Sequence, residues 1–242
     1  VAPSRGLGDV YKRQAHGCSL REAAMMGLAP DGGLFVPERI PQADMALAER
    51  LAGESYAALA GYLAGLFFGG DFDSQAVQRE LDGLYDFPVP LRVVGRGRYT
   101  LELFHGPTIA FKDMALSILP YLMTTAAKKN QIKNEIVILT ATSGDTGKAA
   151  LAGFADVPGT RIMVFYPKDG VSPIQEKQMV TQKGDNTFVV GIHGNFDQAQ
   201  TGVKKIFGDK EMAAELAAAG YQFSSANSIN IGRLVPQIVY YV

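Results

Sequence analysis

The chain of 242 residues contains no tryptophan, one cysteine and three histidines, and its 23 basic residues are matched by 24 acidic ones. The lone cysteine, Cys18, excludes an internal disulfide framework and favours a reducing, cytoplasmic setting. A net charge of −1 gives no basic excess of the kind that binds nucleic acid or an acidic membrane surface. Long hydrophobic runs are also missing: the longest uncharged stretch, Ser55 to Gly70, is interrupted by Gly61 and Gly65 and falls short of a membrane span. Arg5, Lys12 and Arg13 are followed by no apolar segment, so no secretory signal is visible. What is present, 47% hydrophobic and only 19% charged residues, excludes a disordered polyelectrolyte and is enough to build a soluble protein with a real core.

The first 14 residues show neither alternation nor a helical stripe, and they read as a disordered or artefactual leader. From about residue 15 to 90 the pattern is mainly helical. Ser19 and Glu22 have capping-box spacing for a short helix toward Gly27, Pro30 to Gly33 form a turn, and LFVPERIP is extended. Apolar stripes then fill residues 42 to 86, with Gly69, Gly70 and Asp71 as punctuation.

Residues 91 to 242 read as an α/β domain. Two short strands lead into a helix from Lys112 to Lys129, then strands over Ile136–Ala141, Arg161–Tyr166, Thr187–Ile192 and Gln222–Ser224 alternate with helices, the last from about Ile229. Short β-rich runs alternating with helical segments predict a twisted, mostly parallel sheet with flanking helices.

Two motifs are near misses. GDTGKA around Lys148 lacks the first glycine of a phosphate-binding loop and has Ala149 where a magnesium-holding hydroxyl belongs. The run from Gly95 to Thr100 lacks the third glycine of a dinucleotide fingerprint. His16, His105 and His193 have no cysteine or carboxylate at ligand spacing, so no metal site is expected.

Three other segments point to chemistry. Lys112 stands at the start of an apolar helix, among Phe104, Ile109, Phe111 and Met114, where the helix end and desolvation both disfavour an ammonium. A neutral amine is what carbonyl addition requires; the bland alternative is a lysine snorkelling at a helix end. In TATSGDTGKAAL, Gly144 and Gly147 allow close backbone approach, and the hydroxyls of Thr142, Ser143 and Thr146 at a helix start suit a carboxylate or phosphate. Thr146 serving only as a helix cap explains the same residues. In SANSINIGRL, Asn227, Ser228 and Asn230 form a turn and Arg233 brings forked donors to the first helical turn, as a phosphate ligand or as a solvated side chain. Segments that follow sheet strands converge at the strands' carboxyl ends.

LAPDGGLFVPERIP, ELFHGPTIAFKDMAL, TATSGDTGKAAL and SANSINIGRL, in this order, resemble the threonine synthases, pyridoxal-phosphate enzymes of the tryptophan-synthase-β-like fold type II. The resemblance runs from about Cys18 to Val242. It implies that Lys112 carries the pyridoxal 5'-phosphate, that Thr142, Ser143, Gly144 and Thr146 hold the substrate carboxylate, and that Asp145 approaches the cofactor ring oxygen. Asn227, Ser228 and Arg233 match family positions that bind the substrate phosphate. The implied reaction, that of a carbon–oxygen lyase acting on phosphates, converts O-phospho-L-homoserine and water to L-threonine and phosphate. The family's further glycine-rich loop for the cofactor phosphate is not found in this sequence, so the chain is expected to be an inactive amino-terminal fragment. A threonine-dehydratase-like enzyme of the same fold and a non-catalytic phospho-ligand-binding homologue are the rival readings.

Overall fold

The computed structural model describes residues 4–6 and 18–242. Of the leader, Ser4–Gly6 forms β1, antiparallel to β2 (Phe35–Pro37), and its other residues lie outside the described ones. Helix α1 (Leu20–Met26) begins with the expected capping box: the Ser19 side chain accepts from the Glu22 amide while the Glu22 carboxylate accepts from the Ser19 amide. The turn after it takes Gly32 to φ +84°, a conformation glycine adopts without cost.

Three helices occupy the stretch read as helical. They are α2 (Met45–Glu54), α3 (Tyr56–Phe68) and α4 (Ser74–Leu84), started by the Asp44, Ser55 and Asp73 side chains, each of which accepts from first-turn amides. A bulged antiparallel ribbon, β3 (Leu91–Gly95) and β4 (Arg98–Leu101), links them to the rest.

The single helix expected over Lys112–Lys129 is two: α5 (Asp113–Leu116) and α6 (Leu119–Lys129). Pro120 is the cause, since it has no N–H to continue the ladder and its ring crowds the preceding turn, so it is tolerated only at a helix start. Strands β5 (Glu135–Ala141), β6 (Thr160–Pro167), β7 (Thr187–Ile192) and β8 (Tyr221–Ser225) form one parallel sheet in the order β7-β6-β5-β8. Between them run α7 (Asp145–Phe154), α8 (Pro173–Val180), α9 (Phe196–Gly208) and α10 (Lys210–Ala218). The last helix, α11 (Ile231–Gln237), starts two residues later than the sequence suggests because the Asn230 side chain caps it, accepting from the Gly232 amide; a 3-10 turn, Val239–Tyr241, follows.

Alternation along β5 divides the core. Ile136 and Ile138 face a large cluster that takes in Leu116, Leu119 and Leu122 of α5 and α6, Leu151 and Phe154 of α7, and Leu63 and Phe68 of α3. Leu139 and Ala141 face a smaller one with Ala199 and Val203 of α9. Both faces of the sheet are covered, as a parallel sheet requires, and each fully buried Leu or Phe contributes about 1.5–3 kcal/mol.

Candidate active site

Adjacent strands β5 and β8 end side by side, Leu139 opposite Ser225, and each runs into a short turn and then a helix. The two turns are stitched together. Asn227 Oδ1 accepts from the Ala141 amide at 3.1 Å and its Nδ2 donates to the Ala141 carbonyl at 2.8 Å, so this side chain fixes the mouth of β5. Asn230, fully buried, donates to the carbonyls of Ala24 and Ser225, both at 2.8 Å, and ties α1 to the same edge.

The turn after β5 is built around a residue that points inward. Thr142 Oγ1 accepts from the Gly144 amide at 2.9 Å and the Gly147 amide at 2.8 Å, which closes the turn from within. Gly144 is the residue before the helix, at φ +133°, and the Gln175 side chain would overlap any Cβ there. Capping by the Thr146 side chain is therefore absent: Gly144 occupies the cap position and makes no side-chain hydrogen bond. Among the described residues the amides of Ser143, Asp145 and Thr146 have no hydrogen-bond acceptor, and they remain available at the positive end of α7. Ser143 is exposed on the rim; Asp145 and Thr146 are half-buried.

Lys112 lies immediately before α5 in helical conformation, half-buried, with its Nζ 4.1 Å from the centre of the Phe111 ring. The segment before it is held by Asp113, a buried carboxylate that accepts from both the amide and the hydroxyl of Thr108. That clamp leaves Ile109 at φ +59° and requires Gly106, where a Cβ would stand 2.7 Å from the Asp113 carboxylate. Burial pushes the proton affinity of Lys112 down; Asp145 opposes this, and Arg233 and Lys148 reinforce it.

Burial pushes the Asp145 carboxyl up, but the Gln175 amide, 2.8 Å from Oδ1, and the Lys148 ammonium, 3.3 Å from the same oxygen, together with Lys112 hold it below its ordinary value. Arg233, third residue of α11, is not solvated: it is 4% exposed, one nitrogen donates to the Ala226 carbonyl at 2.8 Å, and Nε has no partner. Burial lowers its proton affinity to about 10, with Tyr240 opposing. An arginine still protonated at neutral pH, buried and with a donor unused, is suited to an anion.

The structure thus brings Asp145 and Arg233, which follow the carboxyl ends of β5 and β8, within electrostatic reach of Lys112. A family model described as "Threonine synthase N terminus" matches residues 11–85. The threonine synthase of Pseudomonas aeruginosa is 38% identical over 234 residues, covering 94% of this chain and 48% of that protein. The crystal structure of threonine synthase from Escherichia coli superposes with a TM-score of 0.85 at 34% identity, over 99% of this chain and 53% of that one.

The chain is similar to threonine synthases over nearly its whole length. It spans about half the length of the relatives it matches. The pyridoxal-phosphate-bound threonine synthase from Brucella melitensis has the same fold, with a TM-score of 0.84 at 34% identity over 100% of this chain and 51% of that one. The fold is accordingly that of the type II pyridoxal-phosphate enzymes.

Among the site residues expected from the sequence, Thr142 and Asn227 have their side chains engaged with backbone, whereas Ser143 and Ser228 are exposed at the rim. Three residues to which sequence reasoning gives no role in the site are built into it: Gln175 is not singled out, Lys148 reads only as part of a failed phosphate loop, and Asn230 only as a turn former. Gln175 reaches Asp145 from α8, Lys148 reaches it from α7, and Asn230 anchors the β8 turn. Gln175 lies three residues after Ser172, the spacing of a capping box, which announced the helix start but not the second bond its amide makes.

Proposed function

We propose that this chain carries the lysine and the substrate-anion pocket of a threonine synthase acting on O-phospho-L-homoserine. The observation that carries this reading is the pairing of a half-buried Lys112, whose proton affinity is lowered, with a buried Arg233 whose Nε lacks a partner. Lys112 fits pyridoxal 5'-phosphate because an amine relieved of its proton is what the cofactor's aldehyde needs; bound there, the cofactor supplies an electron-accepting ring that stabilises negative charge at the substrate's α-carbon.

The chain's own groups have separable tasks. The Ser143, Asp145 and Thr146 amides, at the positive end of α7, take the substrate carboxylate, with Gly144 allowing the approach. Arg233, with Ser228 on the rim of its turn, takes the substrate phosphate, while Asn227 holds the two turns in register and Thr142 closes the turn after β5. By the family resemblance Asp145 would face the ring oxygen of a bound cofactor. Lys112 Nζ, when not linked to the cofactor, would be the base that receives the substrate's α-proton. Residues 15–90 form the amino-terminal subdomain and residues 91–242 the cofactor-binding α/β domain of this reading, and its setting is the cytoplasm. No helix among the described residues is long and apolar enough to cross a membrane.

The test is to incubate the full chain with pyridoxal 5'-phosphate, reduce with borohydride and map the label by mass spectrometry. Label concentrated on Lys112, and lost in Lys112→Ala, supports the reading. Label scattered over surface lysines, or equal labelling in the variant, sinks it.

A further inference from the structure

Lys148 has no place in the function proposed above. It is the fourth residue of α7 and only 7% exposed, in a run where Gly147, Ala149 and Ala150 are also buried. Burial and the positive helix end both work against an ammonium here, so a small apolar side chain would be the cheaper occupant. Its Nζ stands 3.3 Å from Asp145 Oδ1, the oxygen that also accepts from Gln175 Nε2 at 2.8 Å. Asp145 is therefore held from two sides, by its own helix and by α8.

The other carboxylates nearby are engaged elsewhere. Asp113, next to Lys112, is turned onto Thr108, and Glu176 of α8 accepts from the Tyr166 hydroxyl at 2.7 Å. Among the described residues Asp145 is the one carboxylate that acts on Lys112, while the cations acting on it are Arg233 of α11, itself influenced by Tyr240, and Lys148. An undivided Asp145–Lys112 ion pair would hold Lys112 as an ammonium, which has no lone pair for carbonyl addition.

We propose that Lys148 is a positioning residue for Lys112: it binds the Asp145 carboxylate, denies it to Lys112, and so leaves the Lys112 amine free for its covalent link. The proposal rests on the reading of Lys112 as the cofactor lysine. Two effects act together, because Lys148 both shares the opposing charge of Asp145 and places a like charge nearby, and both favour the neutral amine.

Competitive acetylation of the full chain over a neutral-to-alkaline pH series, resolved by residue with mass spectrometry, reads the Lys112 amine directly and needs no cofactor. Lys148→Met, which keeps length and removes charge, is expected to slow Lys112 acetylation roughly three- to tenfold at neutral pH and to move its midpoint upward. Lys148→Arg keeps the charge and should retain the wild-type midpoint. Asp145→Asn removes the opposing charge and should move the midpoint down. A packing role for Lys148 would leave the Lys148→Met midpoint at the wild-type value. An unchanged midpoint in a folded Lys148→Met protein overturns the proposal; if that variant fails to fold, a midpoint that does not fall in Asp145→Asn overturns it equally. Borohydride trapping of the wild type stands apart: absence of label on Lys112 would remove the cofactor reading, while a midpoint shift would still support control of the Lys112 amine by Lys148.

Discussion

Single side chains here are placed by opposing costs. Arg233 loses most of its hydration and keeps only one short bond to a carbonyl, which a bound anion would complete. Arg233→Ala should therefore weaken binding of O-phospho-L-homoserine by about tenfold to a hundredfold, the range expected for roughly 1.5–3 kcal/mol of charge-assisted contact, as read by calorimetry. Borohydride trapping at Lys112 should persist in the same variant. Asp145 works in the opposite sense. Because its folded-state proton affinity is lowered, its contribution to stability is present above the unfolded carboxyl value and is lost as pH falls through the folded one. The difference in urea midpoint between wild type and Asp145→Asn should be widest at neutral pH and close below about pH 4, as Asp145 protonates and Lys148 loses its counter-charge. A gap that stays constant with pH would show that the pair contributes nothing.

Between elements, the contact that places Lys112 is the crossing of α5 and α7. Gly153 makes it possible: a Cβ there would come 2.2 Å from the Leu116 carbonyl oxygen, a backbone atom with no rotamer to yield. Gly153→Ala is expected to destabilise the fold by about 1–3 kcal/mol or more, because α5 must move away from α7 and take Lys112 with it. Gly202 of α9 gives the contrast. Nothing lies within 4 Å of a Cβ built on it, so Gly202→Ala should stabilise by about 0.5–1 kcal/mol through helix propensity alone. Chemical denaturation followed by circular dichroism measures both, and a neutral Gly153→Ala would show that the crossing is loose.

At the scale of the whole molecule, the helical amino-terminal part and the sheet share one core. Leu63, Phe68 and Leu81 belong to the same cluster as Leu122, Ile138 and Val235, and the Tyr85 hydroxyl donates to the Met114 carbonyl across the division at residue 90. The two parts should consequently unfold together. Far-ultraviolet circular dichroism, dominated by helix, and tyrosine fluorescence are expected to give coincident urea transitions. Two separated transitions would show that residues 15–90 fold on their own.

The sequence by itself determined most of the local structure and singled out the candidate chemistry-bearing residues. Capping side chains at Ser19, Asp44 and Asp73, glycines in turns and the alternation of β-rich with helical runs are properties of neighbouring residues, so they are legible without tertiary information. Lys112 at a helix start and the two turns after β5 and β8 were legible for the same reason. Only the tertiary structure decided how those groups are used. Thr142 and Asn227 carry side chains that suit a ligand, yet they bond backbone: Thr142 closes its own turn, and Asn227 joins two strand ends from distant parts of the chain. Lys148 read as part of a failed nucleotide motif and is instead a buried partner of Asp145, and Arg233 read equally well as solvated. Burial and the pairing of charges depend on what packs from other elements, and the bond by which Gln175 reaches Asp145 from 30 residues along the chain follows from no local pattern.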